Sequence, residues 1–245
     1  MSAKKSNSRR KRSRPVTKPS TKTKLKRNKP AMFLSIFIVL MLILSGVYVV
    51  FSSIGNESST DSSYKDDPEY IAALAGTDYP VAVLETSKGA IAIELYNKNN
   101  QAPLTCQNFI NLVKDGFYDG MIFHRVMDNF MIQAGSTMAD GTTKTSTYGS
   151  ISTFEGGLTH VDGAISMASG GAGMPGEAQF FIMDGARVGS QYQMDGNYAA
   201  FGKTIYGIEV VRDIADENHD SSYGSVGGGR PYNDIIIEKI YMAKE

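Results

Sequence analysis

Residues 123–135, FHRVMDNFMIQAG, set a cation among apolar side chains. They read as two short apolar strands folded about Met-Asp-Asn, with His124 and Arg125 in the first and Gln133 in the second. Taken alone, Arg125 is as readily half of a structural ion pair, because buried arginines are commonly paired. Phe130, Met131 and Phe181, taken alone, are likewise more often core than pocket. His124 alternates away from Arg125, alongside Ile122 and Val126, and is read as a hydrogen-bonded core histidine rather than an acid or base.

Other chemistries find little support. GAGMPG, residues 171–176, satisfies G-x-G-x-x-G, but Pro175 and the β-type run EAQFFIM follow where a helix must open, so it is read as a flexible glycine loop. GNYAAFGKT, residues 196–204, has five residues between its glycines where a phosphate loop has four, and is read as a strand ending at Gly202. The chain has no G-x-S-x-G and no H-E-x-x-H, and no Ser/His or Cys/His pairing is evident for covalent catalysis. One cysteine, Cys106, and three histidines are too few for a usual zinc cluster, and they exclude an intramolecular disulfide. No cofactor is expected.

The elements that must position these residues are mostly short strands. VAVLETSKGAIAIELY gives two β-type runs joined at Ser-Lys-Gly, a hairpin signature. APLTCQNFINLVKDGFY switches to helical spacing, with Pro103 suited to the first turn and Gly116 to the stop. A Gly/Thr/Ser-rich loop, GSTMADGTTKTSTYGS, follows the opening strand pair, and GAISMA, AQFFIM and YAAFG supply further β runs. IYGIEVVRDIAD reads as a second amphipathic helix and NDIIIEKIYMA as a closing strand. Many short strands with two helices predict a closed or nearly closed antiparallel barrel with helices capping its open ends.

Charge divides the chain further. Of 25 Lys and Arg, 13 lie in residues 1–30 without a single acid, whereas from Gly55 onward 12 basic residues face all 25 acids. Between the two lie the 24 uncharged residues 31–54. At about 1.5 Å per residue they suffice to cross a hydrocarbon core of about 30 Å with some tilt. The run is longer than a signal-peptide core and VFSSIGNES is a poor cleavage site, so an uncleaved anchor is expected. Basic residues on its N-terminal side keep that end cytoplasmic. The reading is therefore a basic cytoplasmic arm (1–30), a single transmembrane helix (31–54), a solvated extracytoplasmic linker with a helical turn near Pro68 (55–77), and a globular domain (78–245) outside the cell membrane. Nucleic-acid binding by the basic arm is not expected, since a basic run beside an apolar span is more simply topogenic.

FHRVMDNFMIQAG resembles the signature of the cyclophilins, a family of peptidyl-prolyl cis/trans isomerases. GAISMAS (163–169), AQFFI (178–182) and MDGNYAAFG (194–202) follow in family order and near-family spacing. The resemblance covers residues 78–245 and implies a mainly β fold, a closed eight-stranded antiparallel barrel with two capping α-helices. It implies that Arg125 is the catalytic arginine and that Phe130, Met131, Phe181 and Met194 form the socket for a proline ring. Gln133 and Gln179 then hold the substrate backbone, with Ala168 on the groove floor. Three positions depart from the commonest pattern: Ser169 stands where asparagine is usual, Tyr198 where a histidine rims the pocket, and Gln193 where many members have tryptophan. The last implies weak cyclosporin binding, and the GTTKTST segment implies an altered neighbouring subsite.

The implied reaction is non-covalent rotation about an X-Pro bond, assisting the folding of newly exported proteins, by a monomer. Its partners are proline-containing segments of unfolded chains, and the lipid bilayer through residues 31–54. The alternative is a proline-peptide binding module or holdase on the same scaffold with little turnover; a hydrolase is third, for want of a visible nucleophile.

Overall fold

The computed structural model describes residues 62–99 and 101–245. The basic arm and the 31–54 anchor lie outside the described residues, and no helix among those described is long and apolar enough to cross a membrane. Eight strands form one antiparallel sheet: β1 Val81–Thr86, β2 Gly89–Leu95, β3 Arg125–Met127, β4 Met131–Ala134, β5 Ala164–Met167, β6 Phe180–Met183, β7 Ala199–Tyr206 and β8 Ile237–Lys244. Their order across the sheet is β3-β4-β6-β5-β7-β2-β1-β8. Three α-helices accompany them: α1 Pro68–Ala75, α2 Pro103–Lys114 and α3 Ile208–Ala215.

The expected hairpin is present, with β1 and β2 in register from Val81–Glu94 to Thr86–Gly89. Pro103 opens α2 as anticipated, and the helix buries Cys106, Phe109, Leu112 and Val113 against the curled sheet. Phe109 packs within 5.3–5.6 Å of Tyr118, Phe180 and Phe201, ring centre to ring centre. These rings anchor a core that draws on both helices α2 and α3 and on the inward residues of the strands.

Expectation and structure differ in three places. First, the barrel is not closed. β3 and β8 end the sheet order without pairing with each other; only the chain leading into β3 meets the start of β8, through single contacts such as Phe123 N–H to Ile235 O (3.1 Å) and Ile237 N–H to Met121 O (2.7 Å). The outer edge of β3 is already occupied, because Val126 and Gly229 exchange both backbone bonds at 2.9 and 3.2 Å. A loop rather than β8 therefore neighbours the strand carrying Arg125.

Second, β7 does not stop at Gly202 but runs on to Tyr206, and α3 begins only at Ile208. Gly207 makes the corner at φ 78° with its Cα pressed against the Ala90 backbone, where a side chain has neither room nor a relaxed conformation. Third, the end of the expected linker is mostly exposed, as anticipated, but it is not a free stalk, because Tyr70 and Thr77 are buried. α1 is capped by the Asp67 carboxylate, which accepts from Glu69 N–H at 2.8 Å, and it lays Tyr70 on the outer face of β1 and β2. Val81, Val83, Ala90 and Ala92 form an apolar stripe there that needs a cover, and burying such a side chain is worth about 1.5–3 kcal/mol. Tyr64 seals the edge by donating to Glu85 at 2.5 Å.

Candidate functional site

Strand alternation places the site on the outer face of the sheet. In β4 Ile132 and Ala134 point into the core, and in β6 Phe180 and Ile182 do so. Their neighbours Met131, Phe181 and Met183 join a separate outer cluster with Met194. Val126 likewise points inward, which sends Arg125 out. Register then aligns one row across four strands: Arg125 opposite Gln133, Gln133 opposite Phe181, and Phe181 opposite Ser166.

That row opens into a cavity of about 160 Å³ lined by Arg125, Phe130, Met131, Gln133, Ala168, Ser169, Phe181, Met194 and Tyr198. Gln179, the remaining residue of the expected set, lines an adjoining groove of about 450 Å³ that shares Gln133, Ala168 and Ser169 with the cavity. Gln133 Nε2 donates to Gln179 Oε1 at 3.0 Å, so the two amides act as one unit at the junction. All ten residues singled out from the sequence are thus brought together. Met131, Phe181 and Met194 form a nearly closed floor, with Tyr198 standing edge-on to Phe181 at 5.7 Å. Gln193 is not part of the cavity lining; it is exposed, with φ 55°. Ser169 turns its hydroxyl away to Gly171 O at 2.7 Å.

Arg125 has no carboxylate partner among the described residues. Its Nε donates to Gly227 O at 3.2 Å, and its Nη2 to Val226 O at 3.0 Å and Gly227 O at 2.9 Å. The guanidinium carbon lies 4.7 Å from the centre of the Tyr223 ring, and Nη1 has no partner among the described residues. Burial lowers the arginine's pKa from its ordinary value, opposed by Tyr223 and Tyr198, and it remains a cation at any physiological pH. Neutral carbonyls fix its orientation without cancelling its charge.

Tyr223, Val226 and Gly227 were not anticipated. Carbonyls leave no mark on side-chain identity; the only signal was the triple glycine of VGGGR. Gly228 there has φ 73°, and a Cβ on it would lie 2.5 Å from Val126 O, so the loop lies tight on β3 only because that side chain is missing.

The structure also corrects two readings of polar residues. His124 is buried, but its Nδ1 has no hydrogen-bond partner among the described residues, and burial, then the adjacent Arg125, pushes its pKa down to about 4. A Ser/His pairing does exist: His160 Nε2 lies 3.0 Å from Ser166 Oγ and Nδ1 lies 2.9 Å from Asp195 Oδ1. Burial, only partly offset by Asp195, lowers the His160 pKa. The neutral ring therefore donates from Nδ1 to the carboxylate and accepts the Ser166 proton at Nε2. Both residues are fully buried, so no substrate can reach this serine. The ring instead stacks on Phe181 at 6.0 Å, bracing the pocket floor from behind.

Comparison with known proteins matches this geometry to a family. A family model described as cyclophilin type peptidyl-prolyl cis-trans isomerase/CLD fits residues 81–242. The chain belongs to the cyclophilins. It is 40% identical over 142 residues to peptidyl-prolyl cis-trans isomerase ppi1 of Schizosaccharomyces pombe, covering 57% of this chain and 87% of that one. It is 38% identical over 154 residues to a peptidyl-prolyl cis-trans isomerase of Acinetobacter baylyi, covering 62% of this chain and 78% of that one. Among solved structures it resembles a Cryptosporidium parvum cyclophilin type isomerase crystallised in the presence of the dipeptide Ala-Pro. That match has TM-score 0.57 and 30% identity, over 67% of this chain and 99% of the other. This cyclophilin is accordingly a peptidyl-prolyl cis/trans isomerase whose fold is a mainly β, curled and open sheet with few helices.

Proposed function

We propose that Arg125 catalyses X-Pro rotation in this cyclophilin by binding the twisted amide more tightly than either planar isomer. Rotation breaks amide resonance at a barrier of about 18–20 kcal/mol. At the top of that barrier the proline nitrogen regains its lone pair and becomes a better hydrogen-bond acceptor. A donor held where that lone pair develops lowers the barrier without any covalent step. Shortening tens of seconds to milliseconds is a factor of about 10⁴–10⁵, or about 5.5–7 kcal/mol.

One observation carries this reading: the guanidinium lines the same 160 Å³ cavity as Phe130, Met131 and Phe181, and its fixed donors face no acid among the described residues. The apolar floor takes the proline ring, while Gln133 and Gln179, at the junction with the groove, hold the backbone beside it. Isomerisation of an X-Pro peptide, followed by NMR exchange on the peptide's own signals, tests the role. Full-length protein should be active and Arg125→Ala nearly inactive with unchanged peptide affinity. Equal rates for the two would leave a binding module in place of a catalyst.

The setting we propose is the outer side of a cell membrane, on newly exported chains still flexible at their prolines. Support comes from the sequence alone, in the uncharged run 31–54 and the basic residues before it. Protease added to intact cells should then degrade the isomerase domain; protection of that domain would reverse the orientation.

A further inference from the structure

Beyond the pocket, on the flank remote from the two glutamines, lies a second cation. Gln179 just before β6, then Phe181 and Met183 on its outer face, succeed one another at about 3.3 Å per residue, and the chain then turns through Asp184 and Gly185 to Arg187. The guanidinium carbon of Arg187 lies 5.7 Å from the Phe130 ring centre and 5.4 Å from that of Tyr192. Phe130 belongs to the pocket wall, so this cation extends the pocket outward. Its Nη1 donates to Ala186 O at 3.0 Å and its Nη2 to Asn129 O. Nε and the second hydrogen of each amino group have no partner among the described residues, and no carboxylate pairs with it there.

The nearby acids do not pair with Arg187 among the described residues; they accept from neutral amides and keep their charge, which limits the preference the cation can confer. Asp184 accepts from Asn129 N–H at 2.7 Å, Asp128 from Asn129 Nδ2 at 2.7 Å, and Asp195 from Gly189 N–H at 2.6 Å. The loop is also stitched down, with Arg187 N–H donating to His160 O at 2.7 Å and Gly185 N–H to Asp162 at 2.8 Å. Arg187 is therefore braced between two aromatic faces, half-buried, with Nε–H and one hydrogen on each amino nitrogen left without a protein partner among the described residues.

We propose that Arg187, with Phe130 and Tyr192, forms a subsite for a substrate carboxylate, an aspartate or glutamate side chain on that flank of the proline. The proposal rests on the isomerase reading of the adjoining pocket. A planar fork matches a carboxylate in two-point contact, and a guanidinium already held against aromatic rings loses little freedom on binding one. Because the group is partly solvated, the preference it confers is modest and declines with salt.

The test uses the full-length chain in mild detergent and labelled five-residue peptides with a single proline. Each carries Asp or Asn one or two places before or after that proline. Affinity is read by fluorescence anisotropy and turnover separately by NMR exchange. On one flank only, the Asp peptide should bind about three- to fivefold more tightly than its Asn counterpart. Arg187→Ala should bring the two to parity, Arg187→Lys should retain part of the preference, and Arg187→Glu should reverse it. Equal affinities at every position in the unmodified protein, or a preference that survives Arg187→Ala, would overturn the subsite. Turnover absent with the affinity ratio intact would instead sink the isomerase reading while upholding the subsite.

Discussion

Arg125 and His160 are two polar groups associated with the outer face of one sheet, both tied to the wall of one pocket, and they are finished differently. His160 has both ring nitrogens satisfied, by Asp195 and Ser166, and is sealed from solvent. Arg125 is held by two carbonyls, keeps its charge uncancelled and leaves Nη1 without a partner among the described residues. A satisfied polar group stabilises; an oriented but unfinished one can bind something that comes and goes. The same sequence thus supplies a brace and, on the reading proposed above, a working group, told apart by burial and by what remains unpaired.

The sharpest way to break this contrast is to remove each group in turn. Arg125→Ala should lower kcat/KM by about 10²–10³ with the melting temperature little changed, as loss of a pre-oriented charged donor does. His160→Ala should do the opposite. It leaves Ser166 buried without its partner and a cavity where the ring stood, and should cost about 2–4 kcal/mol in urea titration, with residual activity per folded molecule falling less than about tenfold. If the histidine variant lost more turnover than the arginine variant, the assignment of brace and worker would be reversed.

Acid sharpens the comparison through the unpartnered histidine beside Arg125. The unfolded chain binds a proton at His124 below about pH 6.5, but the native state only below about pH 4. Stability from keeping that ring neutral is complete above pH 6.5 and is lost as pH falls toward 4, by up to about 3 kcal/mol. His160, its pKa also lowered, adds a slope of the same sign. Denaturation midpoints between pH 7 and 4 should fall accordingly, and less steeply in His124→Leu. Smallest in effect is Gly228→Ala, which should destabilise by about 1–3 kcal/mol through strain at positive φ and contact with Val126 O. It should also reduce kcat through the Arg125 carbonyl cradle, measurable as a fall in kcat larger than that in affinity.

The pocket was legible because its residues sit in short ordered motifs whose alternation shows which side chains share a face. Arg125, Gln133 and Phe181 become one row simply by pairing the strands. The carbonyls that hold Arg125 were not, since they come from a loop about a hundred residues later and any residue type provides one. The helix cover was missed for a different reason. Ser/Asp-rich residues before Pro68 suggested solvent, while the signal lay in β1, where VAVL is apolar on both faces and so requires a partner on each. Closure failed because eight strand-like runs do not reveal that β3 has only three residues and a loop already paired to its free edge.

That seam between β3 and β8 has a practical side. The segment 219–231 can be exchanged as a cassette without recutting any continuous strand ladder, because it meets β3 by isolated backbone contacts. Because its carbonyls orient the Arg125 guanidinium, substitutions there should change that side chain's aim, and with it any turnover that depends on it, without touching the pocket floor.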